Sequence, residues 1–286
     1  MASTPSPLRY PGGKSAIWPM ISEIITENRL ERCHYAEPYA GGCGLALTML
    51  FRGFAHEIYI NDLDISIWSF WDSVLNKTEE LVSLIESTDV TVHEWRNQVR
   101  IHKDRSSASP LELGFATFFL NRTNRSGVIK KAGVIGGLKQ DGKYKIDCRF
   151  NKKALIDKIR RIAKYKHRIH LYNLDAIDFI DETKKLLPKN SLYCIDPPYY
   201  VKGSSLYTDF YTHDDHIQLA AHLKKLKRNW LLTYDNSEAI SKIYTSMKQF
   251  NFHLNYSVET KRIGTELLIP SPGLLIPQDL NIYEVA

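Results

Sequence analysis

The stretch Ser191-Leu192-Tyr193-Cys194-Ile195-Asp196-Pro197-Pro198-Tyr199 decides how this chain is read. Its first five residues form a short, bounded and largely apolar run, which predicts a buried parallel strand. The strand runs directly into a carboxylate, two prolines and a tyrosine. Pro197 and Pro198 have no N–H and a fixed φ, so the loop holds its shape before a partner arrives. The Asp196 carboxylate and the Pro197 carbonyl aim acceptors at one spot, and Tyr199 offers a ring face. A flat partner carrying an amino group suits this loop, because the acceptors take its N–H groups while the ring stacks. A simple strand-capping turn is the plain alternative.

Further strand-like runs lie on either side, and helical patterns follow them. Cys33 to Glu37 precedes a glycine-rich turn and a helical Leu45–Phe51. Glu57 to Ile60 ends in Asn61-Asp62, before an apolar helix Ile65–Leu75. Arg168 to Tyr172 ends at Asn173-Leu174-Asp175, and Trp230 to Thr233 ends at Tyr234-Asp235-Asn236. Strands alternating with helices predict an α/β fold with a doubly wound parallel sheet and ligands at the carboxyl ends of its strands. The rhythm breaks between about residues 77 and 165. Two charged helices (Glu79–Glu86, His93–His102) and a Gly-, Asn-, Arg- and Lys-rich segment stand there. The expected division is one domain from 1–76 and 166–286, with 77–165 inserted as a mostly helical recognition subdomain.

Glu37-Pro38-Tyr39-Ala40-Gly41-Gly42-Cys43-Gly44 follows the first strand and opens a helix. Glycines there let the backbone turn sharply and approach a ligand. Asp62 lies at the end of the next strand, where an acid can accept hydrogen bonds from ribose hydroxyls. The spacing is not that of a dinucleotide fingerprint, and Glu37 would repel a pyrophosphate. A cationic nucleoside bearing an amino acid fits an acid and an aromatic better, and S-adenosylmethionine is such a molecule. Upstream, Arg9-Tyr10-Pro11-Gly12-Gly13-Lys14 departs from a phosphate-binding loop in its spacing. A lid role is expected instead, with Lys14 pairing the methionine carboxylate and Tyr10 packing on the cofactor.

The composition, 43% hydrophobic and 24% charged, is that of a folded globular chain. No apolar run is long enough for a bilayer, so no membrane partner is expected. Four cysteines without C-x-x-C pairing suggest free thiols in a reducing cytoplasm and no metal site. The net charge of +6 is a mild basic excess. It concentrates from Asn151 to Arg168, where eight lysines and arginines face one acid, Asp157. Leu155, Ile156, Ile159 and Ile162 recur at helical spacing, so this is an amphipathic helix. Its basic face is either simply solvated or a surface for phosphates. Asn124 and Arg125 are either turn residues or readers of adenine and guanine.

Taken in order, Arg9-Tyr10-Pro11-Gly12-Gly13-Lys14, Glu37-Pro38-Tyr39-Ala40-Gly41-Gly42, Asn61-Asp62, Asn121-Arg122 and Asp196-Pro197-Pro198-Tyr199 resemble Dam-like DNA adenine-N6 methyltransferases, the α-ordered D12 class. The resemblance covers nearly the whole chain. It implies a Rossmann-like S-adenosylmethionine-dependent methyltransferase sheet with an inserted DNA-recognition subdomain. Cofactor contacts are implied for Tyr10, Lys14, Glu37, Pro38, Tyr39, Gly41, Asp62 and Asp196. Asp175 and Ala176 would contact the cofactor adenine, with Asp178-Phe179 as a competing alignment. Asp196, Pro197, Pro198 and Tyr199 are the implied catalytic residues, and Asn121, Arg122, Asn124 and Arg125 the implied DNA contacts, with Lys130, Lys131, Lys143 and Lys145 on the DNA backbone. Tyr39 stands where phenylalanine is usual, and Cys43 where a third glycine is usual. Thr123-Asn124-Arg125-Ser126 replaces the aromatic-Gly-aromatic-Asn run of GATC-reading members, so that specificity is not implied.

The expected reaction is methyl transfer from S-adenosylmethionine to N6 of a flipped adenine in double-stranded DNA, at a short specific sequence and without metal. Val201 to His216, with Tyr207, Phe210, Tyr211 and His213, is expected beside the target base. Competing readings are cytosine-N4 transfer, RNA or protein methylation, and a catalytically silent DNA-binding protein. The expected setting is the cytoplasm of a bacterial or phage-infected cell, at the nucleoid. The protein would act as a monomer or weak dimer on DNA. A cognate restriction endonuclease or other defence component is a further partner to consider.

Overall fold

A computed structural model describes residues 4–9, 14–130, 132–200, 211–256, 262–280 and 282–285. Five parallel strands form the centre of the sheet: β1 (Cys33–Glu37), β2 (Ala55–Asn61), β3 (Ile169–Tyr172), β4 (Ser191–Ile195) and β5 (Asn229–Asp235). Three more, β6 (Phe250–Tyr256), β7 (Arg262–Pro270) and β8 (Ile282–Glu284), extend it by antiparallel pairing. The order across the described sheet is β3-β2-β1-β4-β5-β7-β6-β8. The strand order reverses between β1 and β4, which opens a crevice above their carboxyl ends. The antiparallel edge departs from the all-parallel expectation, and β7 carries a residue important below.

Side chains alternate between the two faces, as a period-two strand requires. Tyr35, Leu192, Cys194 and Leu231 enter one apolar cluster, while Ala36, Tyr193, Ile195, Trp230 and Leu232 enter the other. The first cluster is covered by α1 (Trp18–Glu27), α2 (Gly44–Arg52), α3 (Ile65–Asn76), α4 (Thr78–Ser87), α6 (Pro110–Thr123) and α7 (Lys152–Ala163). The second is covered by α8 (Ala176–Leu186), α9 (His213–Leu223) and α10 (Glu238–Ile243). α5 (Val92–Lys103) packs against α6.

The stretch between α3 and β3 shares the sheet's first apolar cluster. Leu81, Phe115, Phe118, Phe119 and Phe150 pack with Phe70 and Trp71 of α3. α3 and α6 approach so closely that a Cβ on Gly114 would lie 2.5 Å from the Ser69 carbonyl oxygen. Asp64 caps α3 through the Ser66 N–H, and Asp175 caps α8 through the Ile177 N–H. Ser109 and Glu112 form a capping box on α6, and Thr212 and Asp215 form one on α9. These caps start helices where loops leave the strand ends and fix the loop directions. No helix of the described residues is long and apolar enough to cross a membrane.

Candidate active site

β4 delivers Asp196-Pro197-Pro198-Tyr199 to the crevice, and β5 pins both ends of this loop. The Thr233 hydroxyl donates to Asp196 Oδ1 at 2.9 Å, and the Tyr200 N–H donates to Asp235 Oδ1 at 2.9 Å. Pro197, Pro198 and Tyr199 are buried, while the Asp196 side chain keeps a quarter of its surface open. Lys14 Nζ lies 3.2 Å from Asp196 Oδ1, 2.8 Å from Glu266 Oε2 and 3.2 Å from the Tyr199 hydroxyl. It also stands 5.2 Å from the Tyr199 ring centroid. The Tyr199 hydroxyl donates to Glu266 Oε1 at 2.6 Å. Lys14 thus ties the Asp196–Tyr199 loop to Glu266 of β7. The segment after Lys14 packs closely on the start of α2, where a Cβ on Gly44 would meet Ser15 Oγ at 2.1 Å.

The loop after β1 is held from several sides. The Gly41 N–H donates to Asp62 Oδ2 at 2.8 Å, and the Trp71 indole N–H donates to the Gly41 carbonyl at 2.9 Å. Asn61 Nδ2 bonds the carbonyls of Pro38 and Leu174, each at 2.9 Å, and its Oδ1 accepts the Leu174 N–H. The ends of β1, β2 and β3 are thereby stitched around one crevice. Asp62 sits at its rim and also accepts the Asp64 N–H at 3.0 Å. Asp175 and Ala176 lie at the start of α8, with the Asp175 carboxylate engaged in its cap and Ala176 buried. Cys43 adopts φ +52°, the left-handed region that favours glycine, where a third glycine was expected. The Tyr39 hydroxyl meets the Tyr211 hydroxyl at 2.7 Å, so a tyrosine at this position gains a partner across the site.

Three carboxylates and one ammonium share this site. Glu37 is buried and accepts from the Tyr35 hydroxyl and the Ala46 N–H; burial pushes it up to about 8 despite these bonds, and Asp196 adds to the rise. Burial also raises Asp196 to about 6, with Lys14 opposing and Glu266 assisting. Burial favours the neutral form of these acids, whereas their mutual repulsion is relieved by a bound cation. The sulfonium and ammonium of S-adenosylmethionine fit that donor set. Among the described residues no group of three or more His, Cys, Asp or Glu side chains could hold a metal ion.

The expected DNA contacts divide. Asn121 is fully buried: its Oδ1 accepts the Arg9 N–H at 2.7 Å, and its Nδ2 donates to the carbonyls of Arg9 (2.7 Å) and Gly127 (2.8 Å). Asn124 is 1% exposed: it accepts from the Trp95 indole at 2.7 Å and donates to the carbonyls of Val128 and Ile129. Arg122 donates to the Arg149 carbonyl at 2.7 Å, and burial beside Arg9 and Arg149 lowers it to about 10. All three bind backbone of their own chain, Asn121 and Asn124 from buried positions and Arg122 from a half-buried one. Arg125, Lys143 and Lys145 are exposed, and Lys130 Nζ lies 3.7 Å from Asp64. Lys131, Tyr10 and residues 201–210 lie outside the described residues, and with them the expected Tyr207 and Phe210. His213 opens α9 and meets the Tyr200 hydroxyl at 3.1 Å.

The basic helix α7 is likewise largely engaged within the chain. Arg160 forms a two-point pair with Glu79 (3.1 and 2.7 Å), and Lys158 holds the Thr4 carbonyl at 2.7 Å. Lys152 holds the Glu86 carbonyl at 2.8 Å, and Arg161 lies 4.2 Å from the Phe51 ring centroid. α5, in contrast, exposes Arg96, Arg100 and Lys103 around a groove of about 460 Å³. Their i, i+4, i+7 spacing was the signal available in the sequence. Glu266, Thr233 and Asp235 were missed because their partners are distant along the chain.

A profile of the D12 class N6 adenine-specific DNA methyltransferase family matches residues 10–262. No curated protein sequence matches. Among solved structures, a Pyrococcus horikoshii protein described as a proposed RNA methyltransferase is 9% identical, with TM-score 0.40, covering 98% of this chain and 87% of that one. A SAM-dependent methyltransferase of Agrobacterium tumefaciens is 10% identical, with TM-score 0.40, covering 90% of this chain and 61% of that one. A Legionella pneumophila protein is 12% identical, with TM-score 0.33, covering 91% and 85%. The family match spans most of the chain and includes the Gly41 loop, Asp62 and the Asp196–Tyr199 loop, so the chain belongs to the D12 class N6 adenine-specific DNA methyltransferases.

Proposed function

We propose that this adenine-specific DNA methyltransferase acts on an adenine flipped out of double-stranded DNA, within a short specific sequence. The observation that carries this reading is the partly open Asp196 carboxylate, fixed by Thr233 and Lys14 at the mouth of a carboxylate-rich crevice. Bound S-adenosylmethionine would supply an electrophilic methyl group on a cationic sulfur. Glu37, Asp62, Asp175 and Ala176 would line its place beside the Gly41 loop. Adenine N6 is a weak nucleophile, because its lone pair is delocalised into the ring. Asp196 and the Pro197 carbonyl would accept hydrogen bonds from the two N6–H groups and favour a tetrahedral nitrogen with a localised lone pair. The cofactor would supply its methyl group to that lone pair and keep the electrons of the broken bond on sulfur, while Asp196 and Pro197 would hold N6 in place. N6 becomes acidic only after transfer, so Asp196 then receives or relays one proton without being a strong base. Positioning and electrostatics supply most of the catalysis. Bringing N6 of a stacked adenine to Asp196 would require the base to leave the helix.

Single-molecule sequencing of DNA from a methylation-deficient host expressing the chain tests the proposal. N6-methyladenine confined to one short motif is expected. Scattered N6-methyladenine refutes sequence specificity, and N4-methylcytosine refutes the adenine reading.

A further inference from the structure

Glu266 lies within β7, opposite Asp235 of β5, and is 1% exposed. Its two oxygens have different partners: Oε2 takes the Lys14 ammonium at 2.8 Å, and Oε1 takes the Tyr199 hydroxyl at 2.6 Å. Burying a carboxylate is expensive unless it is paired, and an uncompensated one would be strongly destabilising. Pairing Lys14 alone would need no bond to Tyr199. The Lys14 ammonium is shared, and its contact to Glu266 is 0.4 Å shorter than its 3.2 Å contact to Asp196. Glu266 thus touches both Lys14, which neutralises Asp196, and Tyr199, which closes the loop that begins at Asp196.

We propose that Glu266 is a positioning residue for methyl transfer: it draws the Lys14 ammonium partly off Asp196 and fixes Tyr199, leaving an Asp196 oxygen able to accept the N6 amino group. The proposal rests on the role given to Asp196 above. Without Glu266, Lys14 would pair fully with Asp196 and compete with the amino group for its lone pairs. Among the described residues, the charged and titratable groups facing Asp196 are Lys14, Glu266, Glu37, Cys194 and Tyr234. Glu266 raises the Asp196 pKa and Lys14 lowers it. Loss of the Glu266 charge therefore moves the ionisation of Asp196 toward lower pH.

The test is single-turnover methylation of duplex DNA across pH, at cofactor concentrations saturating at every pH, by wild type, Glu266→Gln, Glu266→Asp and Tyr199→Phe. Glu266→Gln keeps the shape and removes the charge. Its rate should fall about tenfold or more, and its acid limb should move down by about one pH unit. Glu266→Asp keeps the charge and should hold the limb near the wild-type position. Tyr199→Phe, which loses the hydroxyl contacts to Glu266 and Lys14 but keeps both charges, should slow transfer without moving the limb. If Glu266→Gln does not fold, an acid limb displaced in Glu266→Asp as far as in Asp196→Glu overturns the proposal, and a wild-type limb supports it. A Glu266→Gln rate within about twofold of wild type, or an unmoved limb, overturns the proposal while leaving the Asp196 reading intact. A wild-type protein that transfers nothing to adenine overturns that reading and this proposal together.

Discussion

Replacing Asn121 with alanine distinguishes a structural clamp from a base reader. Asn121 joins the end of α6 to the N-terminal segment at Arg9 and to the turn at Gly127, through three hydrogen bonds of 2.7, 2.7 and 2.8 Å. Alanine removes all three. The Gly127 carbonyl is left in a buried setting, whereas the partly buried Arg9 groups can recover water. One fully lost bond and two partly recovered ones sum to about 2–4 kcal/mol of lost stability. Denaturant unfolding measures this as a lower midpoint at unchanged slope. The ratio of specific to non-specific DNA affinity should stay at the wild-type value, since the amide does not face DNA. A base reader behaves oppositely: stability is kept and discrimination at one base position falls by about 1–3 kcal/mol. Unchanged stability with relaxed specificity would refute the clamp.

Cofactor affinity should rise with pH across the neutral range. Glu37, raised to about 8, is mostly protonated at pH 7 and must lose its proton to offer a cation its charge. Between pH 7 and 9 the ionised fraction grows about tenfold, so titration calorimetry should show a comparable gain in affinity and proton release on binding. Affinity flat across that range contradicts the raised carboxylate. Gly114→Ala should destabilise the fold by about 1–3 kcal/mol in thermal or denaturant unfolding, because its Cβ meets the Ser69 backbone at 2.5 Å. Arg125→Ala should weaken DNA binding and lower the slope of log affinity against log salt by about one, whereas Arg160→Ala, whose guanidinium is held by Glu79, should leave the slope unchanged.

The central sheet was legible because buried parallel strands are written as short apolar runs ending in turn residues. Cys33–Glu37 and Ser191–Ile195 stand where their patterns place them, as does the Asp196 loop. β7 was harder, because Glu266 interrupts its apolar run and its partner Lys14 is 252 residues away. No local pattern encodes such a pairing. The amphipathic period of α7 correctly marked Leu155, Ile156, Ile159 and Ile162 as buried. A period says which face is polar, not whether that face meets solvent, DNA or the chain itself. Asn121 carried a usable signal: it ends the apolar run Phe115–Leu120, so a buried amide with backbone partners was the physical expectation there.

The most direct test measures methyl transfer and cofactor binding in parallel for wild type and Asp196→Ala. The variant should lose detectable N6-methyladenine formation on duplex DNA. Its affinity for S-adenosylhomocysteine should stay within about threefold of wild type, since Asp62, Asp175 and the Gly41 loop are intact, a change of under 1 kcal/mol. Methylation retained by Asp196→Ala would contradict the account at its centre.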